Sequence, residues 1–63
     1  MNLKGVVSSV HDSGVRVTFP DRSNVVSPII KIAAHVGSLK VDDSVAVMFF
    51  SNSMADGLVV AKF

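Results

Sequence analysis

Sixty-three residues allow one domain at most, residues 1–63, and a chain this short buries only roughly 60% of its unfolded surface. A net charge of +1, six Lys/Arg against five Asp/Glu, lacks the strongly basic balance of a dedicated nucleic-acid binder and is too even for a charged disordered tail. With no cysteine, disulfides and thiolate zinc sites are excluded, and the staple left to a small domain is a partner subunit.

Apolar residues make up 49% of the chain and charged ones 17%, yet no membrane span is expected. The longest unbroken apolar run, Val45 to Phe50, has six residues against the ~20 of a spanning helix. The opening MNLKGVV does not read as a signal peptide, because it has no charged head followed by a long apolar stretch. Thirteen valines against three leucines favour a pleated surface over a helix. Turn-forming clusters at Asp12–Gly14, Pro20–Asn24, Gly37–Ser38, Asp42–Asp43 and Asp56–Gly57 cut the chain into the short segments of an all-β barrel or sandwich.

In chain order, the first strand is expected at about Lys4 to Val10. The second, Val15 to Phe19, alternates with Val15, Val17 and Phe19 inward and Arg16 and Thr18 outward. HDSG joins the two as a tight hairpin in which Gly14 is free to take positive φ. The third strand spans about Val25 to Ile32, where Pro28 marks an edge or a bulge because it cannot donate to a ladder. Residues 29–36 have two readings. Ile29, Ile32, Ala33 and Val36 fit helical spacing after Ser27-Pro28; the three isoleucines favour a strand. The fourth strand is Ser44 to Phe50 and the fifth Gly57 to Phe63. Five strands with an irregular or briefly helical link between the third and fourth give a small OB-like barrel.

The last two strands are apolar on both faces. Val45, Val47 and Phe49 share one face of the fourth, and Ala46, Met48 and Phe50 the other. In the fifth, Leu58 and Val60 align with Lys62, and Val59 and Ala61 with Phe63. A barrel has one inside, so an apolar outer face needs cover from the link around Ile29 to Leu39 or from another subunit. Met48, Phe50 and Phe63 are the candidate subunit interface. Met48 and Met54 suit an adaptable contact; the plain alternatives are core filling for Met48 and a half-covered loop residue for Met54.

Chemistry-bearing residues are sparse. His11 beside Asp12 offers an Asp-oriented base, but a solvated turn pair explains it as well, with no convergent partner in sight. His35 has no second ligand at metal spacing. Asp42-Asp43 reads as a polar turn rather than a hard-metal site, since neighbouring strand residues point to opposite faces. No nucleophile elbow, dinucleotide loop or P-loop is present, so neither an enzyme nor a cofactor is expected. OB barrels often bind single strands through stacking aromatics and a basic groove. Here Tyr and Trp are absent, and Arg16 and Arg22 alone are weak nucleic-acid candidates.

GVVSSVHDSGVRVTFPD resembles the opening of the OB-fold domain of phage tail baseplate and spike-hub proteins, the baseplate assembly protein V family. HVGSLKVDDSVAVMFFSNSMADGLVVAKF is similar to that domain's closing half, through Lys40-Val41-Asp42-Asp43-Ser44-Val45, Phe49-Phe50 and Asp56-Gly57-Leu58-Val59-Val60-Ala61. Asp42 and Ala61 stand where the family pattern has glycine. The resemblance implies a structural tail component of a phage or prophage, often trimeric, that binds neighbouring baseplate proteins and resides in the virion tail or, during assembly, in the host cytoplasm. In spike hubs a β-helical needle follows the barrel; nothing follows Phe63 here, so scaffold rather than piercing is the expectation.

Overall fold

The alternation of Val15, Val17 and Phe19 organises the structure, a computed structural model that describes residues 2–63. These three side chains are fully buried on strand β2, Gly14–Phe19. The remaining strands are β1, Asn2–His11; β3, Val25–Val26; β4, Lys31–Ile32; β5, Ser44–Phe49; and β6, Gly57–Lys62. Short 3-10 turns occupy Pro20–Arg22 and Ala34–Val36. The sheet order is β3-β2-β1-β5-β6-β4, antiparallel except where β4 lies parallel to β6.

β3 and β4 are the two ends of the single third strand expected from the sequence. The first end pairs with β2, Thr18 opposite Val26 and Phe19 opposite Val25. The second pairs with β6, Lys31 opposite Leu58 and Ile32 opposite Val59. Between them, Val15 and Ile30 exchange backbone hydrogen bonds of 3.0 and 2.9 Å. One continuous segment therefore joins both ends of the curled sheet. The cycle β1, β2, residues 25–32, β6, β5 is that of an OB-like barrel. Residues 29–36 contain both alternatives read from the sequence, a strand at Lys31–Ile32 and a 3-10 turn at Ala34–Val36.

The segment advances three residues, Ser27 to Ile30, while β2 advances two, Val17 to Val15. This is the bulge Pro28 demands. It would leave the Val17 amide without a backbone acceptor. Ser27, fully buried, supplies one: its Oγ accepts from Val17 N at 3.0 Å and donates to Pro28 O at 2.7 Å, while its own amide donates to Val17 O at 2.8 Å. A side-chain hydroxyl stands in for a main-chain carbonyl. Closure also sets two glycines. A Cβ on Gly14, whose φ is +153°, would overlap the Ile30 carbonyl. A Cβ on Gly5 would press into Val17 Cγ1 and sit 2.9 Å from Thr18 O.

Inside, Val7, Val45, Val47 and Val59 join the β2 residues, and Ile30, Leu39 and Phe49 complete the core. Phe19 meets Phe49 edge to face, centroids 5.7 Å apart at 62°, a favoured aromatic geometry. Leu3, Ile32, Val36 and Met54 pack against this cluster half-buried.

Two bulges adjust which side chains face inward. The β1–β2 register shifts between Val7 and Ser9, and the Ser8 hydroxyl donates to Arg16 O at 3.2 Å. On β6, Val59 pairs with Val47 but Ala61 pairs with Ala46, so Val60 is the extra residue. The expected alignment of Val59, Ala61 and Phe63 is thereby corrected. Val59 is inside, whereas Ala61 and Phe63 are exposed, because the bulge turns the chain over by one residue.

Ser27→Ala leaves the buried Val17 amide without this partner, along with the part-buried Pro28 carbonyl, and the expected loss is about 1–3 kcal/mol. Urea denaturation monitored by circular dichroism measures it. A midpoint unchanged from wild type contradicts the role given to the hydroxyl.

Candidate functional site

Cross-strand partners share a face of the sheet, so the registers map the outside of the barrel directly. One outer row runs Val26, Thr18, Val6, Ser44 across β3, β2, β1 and β5. It continues to Phe63, whose amide donates to Ser44 O at 3.0 Å. A second row is Lys4, Ala46, Ala61, and a third is Asn2, Met48, Leu58, Lys31.

These rows locate the candidate interface. Met48, Phe50 and Phe63 all face outward. Met48 is half-buried, while Phe50 is 63% and Phe63 68% exposed. They do not form one compact patch. Phe63 lies beside Ser44 at one end of β5 and Phe50 follows its other end, six residues on, or roughly 20 Å along an extended strand.

Around Phe63 the fold builds a cleft of ≈ 270 Å³. Phe63 and Ser44 form one side, Pro20 and Asp21 the other, and Lys4, Gly5 and Val6 of β1 run between. Lys4, Val6, Pro20 and Asp21 do not stand out in the sequence. They converge only through the pairing of β1 with both β2 and β5, and no local pattern carries that information.

The arginines do not converge. Arg16 is exposed on β2 opposite Ser9 near the hairpin tip. Arg22 lines a separate cleft with Leu3, Asp21, Ser23, Val25 and Met54, at the far end of β2. Phe19 and Phe49 are buried, and the two exposed rings lie on or after β5 and β6 rather than on β2 and β3. The arrangement thus lacks the stacking rings that single-strand recognition uses beside its basic groove.

The histidines and the Asp42–Asp43 pair engage backbone groups or a neighbouring hydroxyl. His11 Nε2 meets Ser9 Oγ at 2.8 Å on exposed strand surface, so the partner in contact is Ser9. His35 Nε2 lies 2.9 Å from Val60 O; a carbonyl only accepts, so this nitrogen donates, and it serves the residue that the β6 bulge displaces. Asp43 Oδ2 accepts from Lys40 N at 2.8 Å, and Asp42 N donates to Val7 O at 2.8 Å. The pair is a polar turn that ties β5 to β1. Among the described residues, no three His, Cys, Asp or Glu side chains gather as a metal set, and no helix is long and apolar enough to cross a membrane. Met54 half-caps one barrel end on a loop held by Ser51 and Ser53, whose hydroxyls accept from the amides of Ser53 and Ala55 at 3.2 Å each.

Comparison with family models, with curated proteins and with solved structures finds no match.

Asp42 has φ +77°. Asp42 therefore holds a conformation that glycine adopts freely and most L-residues do not. Asp42→Gly is expected to stabilise the protein by about 0.5–1 kcal/mol, relief of strain exceeding the added chain entropy. Thermal unfolding tests this; a lower midpoint contradicts it.

Proposed function

We propose that this chain is a structural subunit of a phage or prophage tail baseplate, a barrel that self-associates and contacts neighbouring tail proteins through its outer face. It would work in the virion tail, passing through the host cytoplasm during assembly. Three things support the reading. The motifs of both halves resemble the baseplate assembly protein V family, the strands close into an OB-like barrel, and the outer face carries two largely exposed phenylalanines.

The last observation carries it. A phenylalanine ring in water forfeits the roughly 1.5–3 kcal/mol that full burial returns. Scattered single apolar residues on a surface need no explanation. Here, however, Phe63 shares an outer row with Val6 and with Val26, itself 49% exposed. A row of this kind suits a protein contact better than it suits water.

Sedimentation equilibrium from low to high micromolar concentration is expected to show reversible association. A clean monomer throughout contradicts the proposal. Phe50→Ser is expected to leave folding stability within about ±0.5 kcal/mol, as for other surface changes, and to weaken capture of any tail protein that co-purifies with the wild-type chain. A large loss of stability instead would make Phe50 part of the fold rather than of a contact.

A further inference from the structure

We infer that copies of the chain add edge to edge, head to tail: the open edge of β1 at Val10 in one copy pairs with the open edge of β6 at Lys62 in the next. The inference rests on the self-association proposed above. It assigns that contact to two strand edges and leaves the outer rows to other proteins.

The third segment does not cover the whole of either edge. A strand residue sends its N–H and C=O to the same side. Val15 exchanges both with Ile30, so its pairing with Val10 is of the non-hydrogen-bonded kind. Val10 therefore points its own amide and carbonyl away from β2. On that side β5 and the turn before it reach only as far as Val7, through Asp42 N and Asp43 O. Among the described residues nothing bonds the Val10 main chain, and Val10 is 48% exposed.

β6 repeats this on its far side. Phe63 N donates to Ser44 O, so Lys62, opposite Val45, turns its amide and carbonyl away from β5. The third segment has left β6 by then. Its last main-chain bond there is Ala33 N to Val59 O at 2.9 Å, and the side chain of His35 takes Val60 O. Among the described residues the Lys62 main chain has no partner. A cleft of ≈ 240 Å³ runs beside it, lined by His35, Val36, Val60, Ala61 and Lys62.

An unpaired edge accepts another strand, and charge decides which. No Asp or Glu lines the β6 cleft, where Lys62 Nζ reaches Ser38 O at 3.5 Å. At the β1 edge, Asp12 follows in the hairpin turn and Asp42 sits beside Val7, both exposed. Arg16 stands on the β2 side, opposite Ser9. Two β6 edges brought together would set Lys62 against Lys62, which is unfavourable. Two β1 edges, centred on Val10, would set Asp12 against Ser8 and bring it no cation. One edge of each kind, antiparallel with Val10 opposite Lys62, sets Asp12 opposite Val60. Asp12 is then diagonal to Lys62 and within reach of its long side chain. The favoured contact is therefore heterologous. Such contacts build a ring where the rotation closes and a filament where it does not; a trimer is one such ring.

The contact is small, residues 9–12 against residues 60–63, so a dissociation constant of about micromolar or above is expected.

Amide hydrogen exchange read by NMR at low and high protein concentration tests the pairing without any variant. The Val10 and Lys62 amides are expected to exchange fast in dilute protein and to slow about tenfold or more as copies associate, while amides paired between β1 and β5 do not change. Variants test the direction. Proline is tolerated where an edge N–H faces solvent, so Val10→Pro and Lys62→Pro each remove one donor and are expected to keep the wild-type circular dichroism spectrum. Each alone is expected to associate about tenfold or more weakly in sedimentation equilibrium. An equimolar mixture is expected to stop at a one-to-one dimer, because one intact β1 edge meets one intact β6 edge and no second pair remains. If a proline variant does not fold, the exchange readout decides. Wild-type oligomers whose Val10 and Lys62 amides stay fast, or folded proline variants that associate like wild type, overturn the edges and leave self-association standing. A mixture that grows past the dimer overturns the head-to-tail arrangement. A wild-type monomer at high micromolar concentration overturns both proposals.

Discussion

Closure of the barrel by residues 25–32 is the constraint on which everything else depends. A curled sheet of this length has two open edges, each a row of unpaired amides and carbonyls that invites aggregation. The third segment removes much of both by running antiparallel to β2 and then parallel to β6. It does so through a proline, at the cost of a bulge. The Ser27 hydroxyl keeps the ladder continuous there. Once the ring closes, the interior holds only the side chains that point into it. In this protein these are mostly valines, with two phenylalanines in contact.

That economy leaves little polar chemistry inside the barrel. The core is filled by apolar residues; among the described residues the only fully buried polar side chain is Ser27, and its hydroxyl is committed to the backbone. The histidines and the Asp42–Asp43 pair sit at bulges and turns, where they engage backbone groups or neighbouring hydroxyls. In the role proposed, recognition falls to the outside, where the registers of β1, β5 and β6 decide which side chains lie together. The outer rows bring together apolar side chains that are far apart in the chain, with Lys4 and Asp21 beside them.

Much of this was legible in the sequence because it is local. The clean alternation of Val15, Val17 and Phe19 announces one buried face, and the turn residues announce where strands stop. Pro28 announced an edge or a bulge, and a bulge is present. The fate of the segment after it was less legible. Its parallel pairing with β6 is a contact between residues far apart in sequence, and the substitution of a serine hydroxyl for a carbonyl has no pattern of its own. The face of Val59 was hidden for a similar reason. Strict period-two counting puts it with Phe63, an outer candidate, and only the bulge at Val60 turns Val59 inward. The cleft was invisible from sequence because Lys4, Pro20 and Phe63 meet only after β1 has paired on both sides.

Native-state hydrogen exchange of the Val15, Val17 and Ile30 amides tests the closure most directly. If residues 25–32 lock the ring, these amides open only with the whole domain. Their exchange free energies should then match those of amides paired between β1 and β5, and Ser27→Ala should lower all of them together. Fast exchange at Val15, Val17 and Ile30 beside a protected β1–β5 centre would contradict the account, because the third segment would then be a flap on an open sheet rather than the stave that closes it.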